Sequence, residues 1–382
     1  MIYLDNSATT KPYAEVMQTF MAVNEQYYGN PASIHAMGVD ANNLLTRARE
    51  QLADLLQTEA NNVLFTSGGT ESNNTAIFGI ARGNTHKGKH IITTAIEHPS
   101  IIEAVKQLEK EGFEVDFLQV DKKGVISLTD LHEKIRKDTV LVSIMHVNNE
   151  MGSIQPIFEA AKIVHSNSRA TFHVDAVQSF GKLPLSFNGE DGPDCLSISG
   201  HKIHGLKGSG VLAFRKKLQW QPIALGGGQE FGLRSGTVAV PQAVALAKAA
   251  RMTVETMGVS FFNYRKWNKE ITEVLKQYGD DVHVLSTAEG AAHIVSFSVK
   301  GLKGEIIINA LQKRGVIVST SSACSSKQTQ TSHVVEALNI DGRFKKGVIR
   351  LSFGAFVNDA HIARFKVELN EVMKELKGEQ TQ

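Results

Sequence analysis

Two cysteines, Cys195 and Cys324, are all that 382 residues contain. That scarcity excludes a disulfide framework and points to a reducing compartment. Charge of one sign is lacking as well: 41 Lys and Arg stand against 39 Asp and Glu, leaving +2. Nothing in that balance pulls the chain toward nucleic acid or a membrane surface. No apolar run approaches the ~20 residues needed to cross a bilayer. Met1-Ile2-Tyr3-Leu4-Asp5-Asn6 lacks a basic segment leading into a hydrophobic one, so no signal peptide is expected. Internal repeats are absent too, and disorder is expected only at Gly378–Gln382. The expectation is a cytoplasmic protein with no membrane partner and no direct nucleic-acid partner.

What is present is an ordinary globular composition, 42% apolar and 21% charged, in a chain too long for one small core. Short apolar runs alternate with amphipathic ones from about residue 60 to 215. Candidate strands are 62–66, 90–95, 114–120, 140–146, 171–174, 195–199 and 210–214, with helical patterns at 71–81, 100–111, 128–136 and 157–166 between them. Such alternation predicts an α/β fold with a mainly parallel central sheet flanked by helices. Residues 41–56 place Leu44, Leu45, Ala48, Leu52, Leu55 and Leu56 at helical spacing. Past residue 258, long helices at 261–278 and 361–377 enclose strand-like segments at 293–299, 316–320 and 347–353. The division expected is a large domain over 11–257, and a smaller α+β domain over 1–10 and 258–382 that carries the Cys324 loop.

Ligands of open parallel sheets gather at the carboxyl ends of the strands. The first candidate strand runs into Thr66-Ser67-Gly68-Gly69-Thr70-Glu71-Ser72, a glycine turn opening a helix, suited to a phosphate. That turn has neither the Walker lysine nor dinucleotide spacing. The next strands end in Glu97-His98-Pro99, in Asn148-Asn149-Glu150, in Asp175 with Gln178, and in Ser199-Gly200-His201-Lys202. A lysine at a strand end suits Schiff-base chemistry. The His98 imidazole can stack on a flat ring and move protons, which makes it a catalytic candidate, and a carboxylate can pair with a protonated ring nitrogen. A phosphate, an aldehyde and a basic ring nitrogen on one molecule match that set, and pyridoxal 5'-phosphate is such a molecule.

Two further stretches complete the reading. Ser321-Ser322-Ala323-Cys324-Ser325-Ser326 surrounds a thiol with small polar residues, as in an exposed loop, which makes Cys324 a candidate nucleophile. Cys195, in an apolar strand, reads as buried and inert. Arg350, on a strand of the smaller domain, can grip an α-carboxylate. Gly226-Gly227-Gly228-Gln229-Glu230 with Arg234-Ser235-Gly236-Thr237 can close over a phosphate. A competing set, His173, His201 and His204 as zinc ligands, would instead mark a metal-binding scaffold.

The chain resembles the cysteine desulfurases of the NifS/IscS type over nearly its whole length. The resemblance rests on YLDN at 3–6, TSGGTES at 66–72, EHP at 97–99, HVNNE at 146–150, HVDAVQS at 173–179, SGHK at 199–202, the GGGQE and RSGT stretches, and SSACSS at 321–326. It implies a fold-type I pyridoxal phosphate transferase, a homodimer with Thr237 reaching the partner subunit's cofactor phosphate. It implies that Lys202 captures the cofactor, Asp175 pairs with its ring nitrogen and His98 stacks on the ring. Asn149 and Gln178 would lie at the phenolic oxygen, and Gly69, Thr70, Ser199, Gly200 and His201 around the phosphate. Arg350, with Asn149 beside it, would bind the substrate carboxylate. L-cysteine would be converted to L-alanine, with the sulfur held as a persulfide on Cys324 for a sulfur-acceptor protein: an iron–sulfur scaffold, a tRNA thiolation enzyme or a thiamine-pathway carrier. Through that persulfide Cys324 would be a transient iron–sulfur ligand; no resident metal is expected. The alternative is another pyridoxal phosphate lyase or aminotransferase, such as a selenocysteine lyase. Ala355 departs from the pattern, standing where IscS-type proteins often carry a second arginine.

Overall fold

The computed structural model describes residues 1–187, 191–216, 218–320 and 331–380. In chain order, β1 (Ile2–Tyr3), α1 (Ala14–Gln26) and α2 (Ala36–Leu56) come first. Strands and helices then alternate: β2 (Val63–Thr66), α3 (Gly69–Gly83), β3 (His90–Thr94), α4 (Pro99–Lys110), β4 (Glu114–Leu118), α5 (Leu128–Lys134), β5 (Thr139–Ser143) and α6 (Ile157–Asn167). After them come β6 (Thr171–Asp175), β7 (Cys195–Ser199), β8 (Gly210–Phe214) and α7 (Val240–Glu255). β2 to β8 form one sheet in the order β2-β8-β7-β6-β5-β3-β4, parallel apart from β8.

Both faces of this sheet are covered, as its strands' apolar runs require. Val63 and Phe65 point into a core with α2, α6 and α7, while Leu64 between them joins α3 and α4 on the other face. α7 has no counterpart in the sequence reading. It is buried on almost every side, from Val240 through Thr253, so it shows little of the one-sided periodicity that betrays a surface helix.

A second assembly follows: α8 (Met257–Lys276), β9 (Val282–Val284), β10 (Ile294–Val299), α9 (Gly304–Lys313), β11 (Val316–Ile317), β12 (Ser319–Thr320), α10 (His333–Ala337), β13 (Val348–Ser352) and α11 (Asp359–Gln380). An antiparallel sheet in the order β12-β13-β10-β9 packs against α8, α9 and α11, with Ile2 and Leu4 entering the same core. The single strand expected over 316–320 divides at Val318. β11 pairs with β1, and β12 pairs with β13. One apolar run thus serves two sheets, and the N-terminal segment is tied down beside β13.

A buried ion pair fixes the glycine-rich loop. Arg49 on α2 meets Glu230 at 2.9 and 2.5 Å, and Glu230 also accepts the Phe65 N–H at 2.8 Å. Both side chains are almost wholly enclosed. Glu230→Ala would leave a buried guanidinium unpaired and should destabilise the fold by about 3 kcal/mol. A urea denaturation midpoint equal to that of the unmodified protein would rule this out.

Candidate active site

The strand ends of the large sheet converge on one cavity of about 650 Å³. β2 enters it through Ser67 and Gly68, whose φ of +150° suits glycine. At Gly69 a Cβ would come within 2.8 Å of Val177 Cγ2, so the backbone must stay bare there. The first turn of α3 has no side-chain cap, which leaves amide donors at a positive helix end. Ser199 Oγ, fully buried and without a partner among the described residues, lies against the same turn, with Thr70 beside it on the cavity wall.

β3 delivers His98, the N-cap of α4, with Pro99 fixing the first helical position. His98 Nδ1 accepts the Ser100 N–H at 3.2 Å, which leaves the ring proton on Nε2. Burial lowers its pKa, opposed by Asp175, so the imidazole is neutral near pH 7. Asp175 closes β6. Its Oδ1 accepts the Val177 N–H at 2.9 Å and its Oδ2 accepts from Asn73 at 2.8 Å, so two donors orient the carboxylate.

β7 ends at Ser199, and a single 3-10 turn over Gly200–Lys202 carries the chain to the lysine. Lys202 Nζ donates to the Ala8 carbonyl at 2.7 Å and to that of Ser7. Gln178 Nε2 donates to the same Ser7 carbonyl at 3.0 Å. From β13 comes Arg350, donating to the Asn149 carbonyl at 2.9 Å and to Asp5 at 2.8 Å, while its buried Nε has no partner among the described residues. His201 lines the wall near Thr9. Burial first, then Lys202, drives its pKa down to about 4, so it too is neutral.

Of the expected residues, Gly69, Thr70, His98, Asn149, Asp175, Gln178, Ser199, His201, Lys202 and Arg350 line this cavity. Gly200 does not. It packs behind the wall, where a Cβ would meet Ser209 Oγ at 2.3 Å, so its part is in the backbone turn and not in ligand contact. Thr237 lies on a smaller adjoining cavity that shares Ser67 and Gly208 with the first. Cys324 and the rest of 321–330 lie outside the described residues. Cys195 is buried, and burial pushes its thiol well up, as expected of an inert cysteine.

The competing zinc set is not assembled. His173 spends its ring nitrogens on Ser143 and Ser197, both at 2.9 Å, and His204 bonds the Lys11 carbonyl and the Ala355 N–H. Four contributors escaped the sequence reading: Asp5, the Ser7 and Ala8 carbonyls, and Asn73. Asp5 lies within the YLDN stretch without a role having been read for it, and Asn73 sits one helical turn beyond Thr70 on α3.

These features fit a ring bearing a phosphate, an aldehyde and a basic nitrogen. The bare glycine turn and the orphaned Ser199 hydroxyl suit the phosphate. Lys202 suits the aldehyde, Asp175 the nitrogen, and the His98 ring a stacked aromatic.

Comparison with known proteins agrees with that fit. The aminotransferase class-V family model matches residues 2–365. Cysteine desulfurase IscS 1 of Archaeoglobus fulgidus is 39% identical over 379 residues, spanning 99% of this chain and 98% of that protein. Among solved structures, a NifS-like protein superposes with a TM-score of 0.91 at 35% identity, covering 98% of this chain and 99% of its own. The structure of SspA in complex with cysteine gives 0.81 at 30% identity, over 92% of this chain and 99% of that one. With its strand-end cavity and end-to-end similarity, the chain belongs to the class-V aminotransferase family, among the cysteine desulfurases of the NifS/IscS type.

Proposed function

We propose that this protein is a pyridoxal phosphate-dependent desulfurase that converts L-cysteine to L-alanine and keeps the sulfur as a persulfide on Cys324. The observation that carries the reading is the meeting of Lys202, Asp175, His98 and an uncapped helix N-terminus in one cavity beside Arg350. The complex of SspA, a structural relative, with cysteine supports the substrate.

Bound there, pyridoxal phosphate supplies an electron sink for negative charge at the substrate α-carbon. Asp175 holds the proton at the ring nitrogen. Lys202 Nζ, once it leaves the Ser7 and Ala8 carbonyls, takes the α-proton. Arg350 Nε binds the substrate carboxylate while Nη1 stays on the Asn149 carbonyl and Nη2 on Asp5. The Cys324 thiolate attacks the substrate sulfur: the Cβ–S bond breaks, an S–S bond forms, and protonation of the carbon gives alanine. A homodimer is part of the proposal, since Thr237 sits outside its own chain's cavity, and Leu225 and Phe231 in the same loop are exposed. The persulfide then passes in the cytoplasm to an acceptor, an iron–sulfur scaffold, a tRNA thiolation enzyme or a thiamine-pathway carrier.

Incubation with L-cysteine should release alanine, with one sulfide per alanine when a thiol reductant is present. Cys324→Ser should keep the yellow cofactor yet form no persulfide, with alanine release down by about 100-fold or more, as for loss of a nucleophile. Amino transfer to a keto acid in place of alanine formation would replace this reading with that of an aminotransferase.

A further inference from the structure

Behind the cavity wall lies a second lysine that the proposed chemistry leaves unused. Lys182 is enclosed, and its hydrogen-bond partner among the described residues is Gln178 Oε1, at 3.4 Å. The other face of that amide donates from Nε2 to the Ser7 carbonyl, which also receives Lys202 Nζ. Lys182, Gln178, Ser7 and Lys202 therefore form one connected chain of polar contacts.

An ammonium has no lone pair, so it can only donate to a carboxamide oxygen, and its contact decides which end of the amide faces which way. We propose that Lys182 is a positioning residue: it fixes the Gln178 amide so that its N–H donors face Ser7 and the cavity. The proposal rests on the reading of the cavity as a pyridoxal phosphate site, in which Gln178 meets the ring oxygen. The titratable groups facing Lys182 are Lys202, His201, His204 and His293. Burial, then Lys202, brings the Lys182 amine down to about 7. The neutral amine keeps N–H donors but gains a lone pair, so the ammonium is the form that fixes the amide.

A donor on the ring oxygen stabilises negative charge left there when the neighbouring nitrogen loses its proton. Losing the donor therefore raises the pH midpoint of the bound cofactor's visible absorbance, by about one unit for a hydrogen bond to a charged atom. The test is a double-mutant cycle on the holoenzyme without cysteine, using Lys182→Met, Gln178→Leu and the double variant. Each single variant should raise the midpoint, and the double should match Gln178→Leu alone. Thermal unfolding of the apoprotein should show no loss in Lys182→Met, because a buried amine is replaced by an apolar chain. A midpoint unmoved in Lys182→Met, or shifts that add in the double variant, would overturn the proposal. Should Lys182→Met not fold, Lys182→Leu carries the same cycle. Because the titration needs no cysteine, its outcome is independent of whether desulfuration is the reaction.

Discussion

Lys202→Ala is expected to lower alanine formation by at least about 10³-fold, the upper part of the range for loss of a positioned acid–base group. Three consequences of the geometry set that size. The side chain ends where two backbone carbonyls, of Ser7 and Ala8, already aim its Nζ at the cavity, so no neighbour among the described residues is poised to take over. Lys207 also lines the cavity but comes from the turn ahead of β8, and Lys182 lies behind Gln178. The proposed phosphate cradle at Gly68, Gly69 and Ser199 is untouched, so the variant should still bind pyridoxal phosphate, only without covalent capture. Borohydride treatment followed by peptide mapping distinguishes these states: the native protein should trap the cofactor on Lys202 and the variant on no lysine. Retained turnover, or trapping on another lysine, would remove Lys202 from its assigned place.

Asp175→Ala carries the second-largest expected effect, about 100-fold or more in alanine formation, comparable to removing one preorganised electrostatic partner. The carboxylate closes β6 and is buried, with Asn73 and the Val177 N–H orienting it. On the proposed function, the ring nitrogen would then lose the group that keeps its proton, and the electron sink would weaken. Asp175→Glu should recover little, because the longer chain abandons both donors. The loss should fall on kcat more than on KM, since the proposed function has Arg350, not Asp175, hold the substrate carboxylate. A variant with unchanged kcat would mean that Asp175 serves only to begin the loop after β6.

Much of this site is legible in the sequence because one physical rule collects it. Parallel strands joined by helices put their carboxyl ends on one edge, so whatever follows each strand lands together. Reading off His98, Asn149, Asp175 and Lys202 needs only the strand ends, and errors of a residue or two at strand boundaries do no harm. The strand expected through residue 146 stops its regular pairing at Ser143, yet Ile144 and His146 still bond to β6 and deliver Asn149. The partners of these residues are a different matter. Arg350 and Asp5 meet across 345 residues of sequence, and nothing in either neighbourhood announces the other. The division of residues 316–320 between two sheets is equally silent, because a Val-Ile run pairs as well with β1 as with β13.

By itself the sequence determined the periodicities, and with them the sheet, its two covered faces and the set of functional groups at one edge. Tertiary structure alone decided what each group is bonded to: Lys202 to the carbonyls of Ser7 and Ala8, Arg350 to Asp5 and Asn149 through its two terminal nitrogens, Lys182 to the amide of Gln178. The reason is that backbone carbonyls are alike at every residue. Which of them a buried donor finds depends on how distant segments approach, not on the side chains that label them.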